Sequence, residues 1–312
     1  MKLAVIIPAY NEEKTIGKVI REIPRRITGV KKVEVIVVDD GSTDRTASEA
    51  HKAGADRVLH HLVNKGLAVS FRDGVDNALE TGADIIVNTD ADFQYNQSEI
   101  LKLVKPIVGG KADVVLGYRD VWNLPHMPVS KKIGNKLASK LVSLLVGSEI
   151  IDAQSGFRAF SREAALQLNI LSDYTYVQET VIQLAFKRMR IEQVPCEFRA
   201  REGGSRLISN IWSYAKRAGA TIILTYVHYK PLKIFLSIGF LMILLGSILG
   251  LRVLVHYLST GLVSPYIPTA ILTAILMIVG FQVVMMGLIA DSINADRRTM
   301  EKILYMMKKK RA

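Results

Sequence analysis

Apolar positions along this chain follow two regimes. Up to about residue 200, short β-branched runs alternate with helical patterns; beyond residue 230 come two long, uninterrupted apolar stretches. The short runs at 3–7, 33–39, 57–60, 84–89 and 113–118 have strand length and are bounded by turn-forming residues. Three of them stop at polar clusters: Pro8-Ala9-Tyr10-Asn11-Glu12, Asp39-Asp40-Gly41-Ser42-Thr43-Asp44, and Asp90-Ala91-Asp92-Phe93-Gln94-Tyr95. Helical patterns fill the intervals; the one from Arg45 to Ala53 follows a Ser/Thr/Asp cap cluster, and Gly41 permits the tight turn before it. A helix from Tyr174 to Arg188 and a last strand from Ile191 to Arg199 complete the series. This alternation predicts an α/β sheet that binds ligands at the carboxyl ends of its strands.

The third cluster carries the sharpest chemistry. In extended backbone, residues i and i+2 point the same way, so Asp90 and Asp92 place two like charges on one face. A hard divalent cation bound through oxygen resolves that repulsion, and Mg²⁺ so held keeps positions for water and substrate phosphates. A bare Asp-x-Asp is common. The buried strand before it, Gln94 after it and the second acidic strand end at Asp39 and Asp40 give it weight.

The long stretches change the class of protein. Ile234 to Leu251 and Tyr266 to Ala290 contain no charged residue and are long enough to span a bilayer. They predict a transmembrane hairpin at 233–290, its helices at about 233–256 and 266–290. Lys216, Arg217, Lys230 and Lys233 precede it; Arg297, Arg298, Lys302, Lys308, Lys309, Lys310 and Arg311 follow; the connection from His256 to Pro265 has no Lys or Arg. The charge asymmetry predicts an integral membrane protein with residues 1–206 and the basic helix 291–312 in the cytoplasm, and 207–232 as amphipathic juxtamembrane helix. Met1-Lys2 leads straight into the first strand, so no secretory leader is expected. The net charge of +12 suits contact with anionic membrane lipids and phosphates. Much of the excess lies beside the spans, which argues against nucleic acid as a partner. The polybasic end reads as a lipid-surface anchor. Ile133 to Val146, with Lys132, Lys136 and Lys140 at four-residue spacing, reads as a surface helix or, since its polar residues are basic, as one lying on the membrane. The single cysteine, Cys196, allows no internal disulfide.

Taken together, Ile7-Pro8-Ala9-Tyr10-Asn11-Glu12, Val38-Asp39-Asp40-Gly41-Ser42-Thr43-Asp44, Asp90-Ala91-Asp92-Phe93-Gln94-Tyr95, Gly117-Tyr118-Arg119, Ser155-Gly156-Phe157-Arg158 and Lys230-Pro231-Leu232-Lys233 resemble a known family over essentially the whole chain. The chain is similar to family 2 glycosyltransferases of the GT-A (Rossmann-like) fold. More narrowly it resembles polyprenyl-phosphate glycosyltransferases, such as dolichyl-phosphate mannose synthases and undecaprenyl-phosphate glucosyltransferases.

The resemblance implies inverting transfer of a hexose from a UDP- or GDP-sugar to polyprenyl (dolichyl) phosphate, with Mg²⁺ or Mn²⁺ as cofactor. By position it assigns Pro8, Tyr10, Glu12, Asp39, Asp90 and Ala91 to the donor nucleotide, and Asp90, Asp92 and Gln94 to the metal. Asp92, Arg119, Arg201 and Arg206 are the implied catalytic residues. Arg119, Ser130, Lys131, Lys132 and Arg201 fall at the lipid phosphate. It admits a homo-oligomer. The 201–206 loop departs from the usual Arg-x-x-Gly-x-Ser-Lys by one residue, which leaves open whether Arg199 or Arg201 points inward. Phe93-Gln94-Tyr95-Asn96 stands where many mannose synthases read differently, which weakens mannose as the sugar. Two alternatives remain: a processive polysaccharide synthase, although Ser209-Asn210-Ile211-Trp212 lacks the Gln and Arg of that class's Gln-x-x-Arg-Trp motif, and a catalytically inactive membrane scaffold.

Overall fold

The computed structural model describes residues 1–124, 127–170, 176–200, 219, 226, 227 and 229–312. It divides into two compact units: Met1–Thr225 with Leu304–Ala312, and Tyr226–Ile303.

The first unit is built on a seven-stranded sheet ordered β3-β2-β1-β4-β6-β5-β7. Its strands are β1 (Lys2–Ala9), β2 (Lys32–Asp39), β3 (Arg57–His60), β4 (Ile85–Asn88), β5 (Val114–Tyr118), β6 (Arg158–Ser161) and β7 (Ile191–Pro195). β1, β2, β3 and β4 run parallel; β6 is antiparallel to both β4 and β5. From Leu3 to Ala9, β1 is apolar because both of its faces are covered. Ala4 and Ile6 join the core cluster that includes Phe71, Val75 and Leu79, whereas Leu3, Val5 and Ile7 join the one that includes Ile16, Ile20 and Leu103. The period of two follows from the pleat, and each such side chain contributes about 1.5–3 kcal/mol by leaving water.

The helices are α1 (Ile16–Glu22), α2 (Thr46–Lys52), α3 (Leu67–Glu80), α4 (Ile100–Val108), α5 (Val129–Val146), α6 (Arg162–Leu166) and α7 (Val177–Phe186). The strand expected at 191–199 ends at Pro195, which has no N–H for the ladder; the chain then crosses to form an isolated bridge between Phe198 and Tyr95. Because β2, β1 and β4 are neighbours and parallel, their three polar ends share one edge of the sheet, where the strand order reverses.

Residues 304–312 belong to this unit. Tyr305 donates to Glu163 Oε2 at 3.0 Å, Lys308 pairs with Asp76 at 2.9 Å, and Arg311 pairs with Glu80 at 2.9 Å. Two of the tail cations expected to face a lipid surface are therefore engaged with carboxylates of α3.

The second unit holds two helices, each long and apolar enough to cross a membrane: α8 (Pro231–Thr260) and α9 (Ile267–Arg311), the latter reaching 304–312 without a break. They cross at glycine. A Cβ placed on Gly239 would lie 2.8 Å from the Gly280 carbonyl oxygen, and one on Gly280 would lie 3.1 Å from that of Gly239. Backbones this close leave no room for side chains.

Candidate active site

At the end of β1, Asn11 takes a left-handed conformation (φ 54°) and laces two loops together. Its N–H donates to Ser42 Oγ at 2.9 Å, and its side-chain oxygen accepts from Thr43 N at 2.8 Å. Glu12 N–H donates to Thr46 Oγ1 at 2.8 Å, and Glu12 Oε2 accepts from Thr15 at 2.9 Å. Pro8 lies beside Val38 in the register and Ala9 beside Asp39; Tyr10 is exposed just beyond the strand.

The two aspartates ending β2 have different work. Asp40 is buried and braces the loop before α3. It accepts from Lys65 N and Gly66 N, both at 2.9 Å, and contacts His61 Nδ1 at 2.7 Å. Burial alone would raise its pKa, but His61 and the two N–H groups hold it below the ordinary value. Asp39, also buried, accepts from Ser42 N at 3.2 Å and contacts His60 Nδ1 at 2.8 Å. Gly41 is obligatory between these loops: its φ is +71°, and a Cβ there would meet the Val63 carbonyl carbon at 2.7 Å.

The end of β4 is wired into the turn before β6. Asn88, fully buried, donates to the Gly156 carbonyl at 2.8 Å and to Tyr176 Oη at 2.7 Å. Gly156 N–H donates to Tyr95 Oη at 3.0 Å. A Cβ on Gly156 would stand 3.0 Å from Asp90 Oδ1, so a larger residue would crowd this carboxylate. Phe93 holds a positive φ of 61°, a strained value for an aromatic residue and one that marks functional loops. Asp92 Oδ1 accepts from Gln94 N at 3.2 Å. Gln94 Nε2 donates to the Arg199 carbonyl at 3.4 Å, which fixes its amide and leaves Oε1 without a hydrogen bond among the described residues.

Asp90, Asp92 and Gln94 Oε1 could offer all-oxygen ligands of the kind a hard divalent cation takes. Among the described residues no group of three or more His, Cys, Asp and Glu could hold a metal. Two carboxylates and an amide fit a cation that completes its sphere from substrate phosphate and water.

Arg119, just past β5, is almost buried. It grips Asp152 with Nε at 2.6 Å and Nη2 at 3.0 Å, and its guanidinium lies 5.0 Å from the Phe198 ring centroid. Burial would ease loss of its proton, and the Asp152 charge more than reverses that. Arg199 is bound elsewhere: its fork meets Glu22 at 2.6 and 2.9 Å and packs on Phe93. Ser130, Lys131 and Lys132 occupy the first turn of α5, where Lys132 Nζ donates to the Trp122 carbonyl at 2.8 Å. Arg201 and Arg206 lie outside the described residues. Arg158 is fully buried and donates to the Ser155 and Ala153 carbonyls and to Thr180 Oγ1, so it holds the turn together rather than facing a ligand. Burial pushes the Cys196 thiol up to about 12, consistent with inert packing. Sequence reasoning gave no role to His60, His61, Asn135, Asp152 or Tyr176; only the Asp152-x-x-Ser155-Gly156 turn offered a signal.

Residues 4–168 match the model of glycosyl transferase family 2, and residues 230–295 match that of the GtrB C-terminal hairpin. The chain is 33% identical over 215 residues to the UDP-N-acetylglucosamine--dolichyl-phosphate N-acetylglucosaminyltransferase of Methanococcus voltae, covering 61% of this chain and 83% of the relative. It is 29% identical over 307 residues to glycosyltransferase AglJ of Haloferax volcanii, covering 96% and 97%. Glucosyl-3-phosphoglycerate synthase from Mycobacterium tuberculosis, crystallised with Mn²⁺, UDP and glucosyl-3-phosphoglycerate, superposes with a TM-score of 0.58 at 25% identity over 73% of this chain and 79% of that one.

Proposed function

This chain belongs to glycosyl transferase family 2 and is a glycosyltransferase, and from that premise we propose that it moves a hexose from a nucleoside-diphosphate sugar to the phosphate of a membrane polyprenol. The observation that carries this reading is the convergence on one sheet edge of the Tyr10–Glu12, Asp39 and Asp90–Gln94 clusters, in a chain that also carries a GtrB-type hairpin. The UDP in the M. voltae relative's name and in the mycobacterial complex favours a UDP-sugar.

Pro8, Tyr10, Glu12 and Asp39 would hold the nucleoside, with Ala91 beside the ribose and diphosphate. Asp90, Asp92 and Gln94 would hold Mg²⁺ or Mn²⁺, which offsets charge on the departing diphosphate. The acceptor phosphate is already an anion, so no strong base is required. Its difficulty is approach to another anion. Arg119 would answer that with a permanent positive charge, and Ser130, Lys131, Lys132, Arg201 and Arg206 would supply further donors. Attack from the face opposite the diphosphate inverts the anomeric centre. The hairpin anchors the protein in the membrane, with the first unit in the cytoplasm.

The test is a panel of radiolabelled UDP- and GDP-sugars with a polyprenyl phosphate, followed by lipid extraction. Label in the lipid phase from one donor class is expected; label in none overturns the reading.

A further inference from the structure

Asp152 stands three residues before the Ser155-Gly156 turn and has no part in the function proposed above. It is 1% exposed. Five donors converge on its two oxygens: Nε, Nη2 and the backbone N–H of Arg119, Nδ2 of Asn135 at 2.9 Å, and the N–H of Gln154 at 3.1 Å. An ionised carboxylate has about four acceptor sites. Neither oxygen is left to take a substrate proton or to bind a cation, so its acceptor capacity is used up in holding its neighbours. Burial alone would raise its pKa; the Arg119 charge and these bonds bring it below the ordinary range, so it stays an anion.

The grip is one-sided. Asp152 engages the Nε–Nη2 edge of Arg119, and Nη1 makes no hydrogen bond among the described residues. The guanidinium is thereby locked in rotation, its Phe198-facing plane fixed, with one edge spent and one donor group free. The second grip on Asp152 comes from α5. Asn135 is 4% exposed; its side-chain oxygen accepts from Ser139 at 3.4 Å, and Ser139 Oγ in turn accepts from Ala153 N at 3.0 Å. The same helix carries Ser130, Lys131 and Lys132 one turn earlier.

We infer that Asp152, seated by Asn135, is a positioning residue that presents the Nη1 edge of Arg119 to an oxygen of the acceptor phosphate, and that it ties this arginine to helix α5. The inference rests on the proposed transfer to a lipid phosphate. Without Asp152 the guanidinium keeps its charge but not its aim. Binding of a phosphate monoester then loses the directed hydrogen bond, while the nucleotide end of the site, built on β1 and β2, is untouched.

The experiment is a double-mutant cycle on the full-length protein in detergent, with Asp152→Asn and Arg119→Lys. Arg119→Lys keeps the charge and removes the fork. Two quantities are read: calorimetric affinity for a short-chain prenyl phosphate, which needs no turnover, and steady-state KM for acceptor and donor varied separately. Asp152→Asn is expected to weaken prenyl phosphate binding roughly 10- to 100-fold, the worth of a hydrogen bond to a charged group, and to raise acceptor KM in parallel. Calorimetric UDP affinity should stay within about twofold. In the Arg119→Lys background the same change should cost less than about twofold, because coupled residues are not additive. Asn135→Ala, which leaves the buried anion in place, should shift acceptor KM in the same direction by less. Additive losses, or equal losses of UDP and prenyl phosphate affinity, overturn the inference and make Asp152 a structural residue only. If the wild type binds prenyl phosphate with the expected coupling yet transfers no sugar, the functional reading fails and the positioning role stands.

Discussion

Leucine and isoleucine occur in both units of this chain and meet opposite fates. In β1, Leu3, Ile6 and Ile7 are 0% exposed; in α8 and α9, Leu251 is 61%, Ile248 58% and Ile289 59% exposed. The polar groups invert the pattern. Asp39, Asn88, Asp152 and Arg158 lie buried in the first unit, each with hydrogen-bonding partners. In the second, Ser237 and Thr273 donate back to carbonyls of their own helices. A protein places apolar surface toward whatever solvent tolerates it. The first unit is organised against water, and buried charged groups such as Asp39, Asp152 and Arg158 are tolerable there because they are paired. The second exposes two helices long and apolar enough to cross a membrane, which meet by close backbone contact at Gly239 and Gly280.

The comparison breaks most visibly at the strand ends. Asp92→Ala or Asp90→Asn is expected to lower transfer by at least about 10²–10³-fold with the circular dichroism and thermal midpoint of the protein little changed. EDTA should reproduce that loss and Mg²⁺ or Mn²⁺ reverse it. Full activity in EDTA-stripped protein would end the metal assignment.

Topology tests whether the second unit's solvent is a bilayer. In intact cells, Ser259→Cys should react with an impermeant thiol reagent and Lys309→Cys should not. Labelling of Lys309→Cys from outside would reverse or abolish the hairpin. A smaller effect comes from Gly280→Leu, which overfills the helix crossing and should cost ~1–3 kcal/mol. Its signature is loss of the hairpin's thermal transition in detergent with UDP affinity retained. If UDP affinity falls with it, the two units do not respond independently.

The smallest effect is acid lability. The native pKa of Asp152 is held below its unfolded value of 3.8. Its contribution is therefore complete above that pH and is lost as the pH falls through the lower native value. The thermal midpoint should drop more steeply on acidification in wild type than in Asp152→Asn. Parallel acid limbs would show that Asp152 is not ionised in the native protein.

Much of the sheet was legible because strands covered on both faces read as unbroken apolar runs: β1, β2, β4 and β5 lie where their patterns put them, give or take two residues. Pro195 marked the early end of β7, and an apolar pattern alone passes over such a residue. The placement of Asp90 and Asp92 at a strand end was legible for the same reason. The residues that aim and brace the site were not. Asp152 and Arg119 are 33 positions apart, and His60 and Asp39 are 21 apart; each pair meets only after the sheet has formed. The carboxylate partners of the basic tail were not legible because charge does not name its partner. Lys308 and Arg311 would suit a lipid headgroup as well as they suit Asp76 and Glu80.

The inclusion of residues 304–312 in the first unit has a consequence for how the protein is made. A ribosome delivers the seven strands first, the hairpin next and this segment after both. Until it arrives, Asp76, Glu80 and Glu163 lack the cations and the phenol that meet them in the finished fold. A chain arrested after the hairpin would carry every strand-end residue of the site and still be an unfinished catalytic unit. The order of synthesis thus makes these contacts the last closure of the first unit.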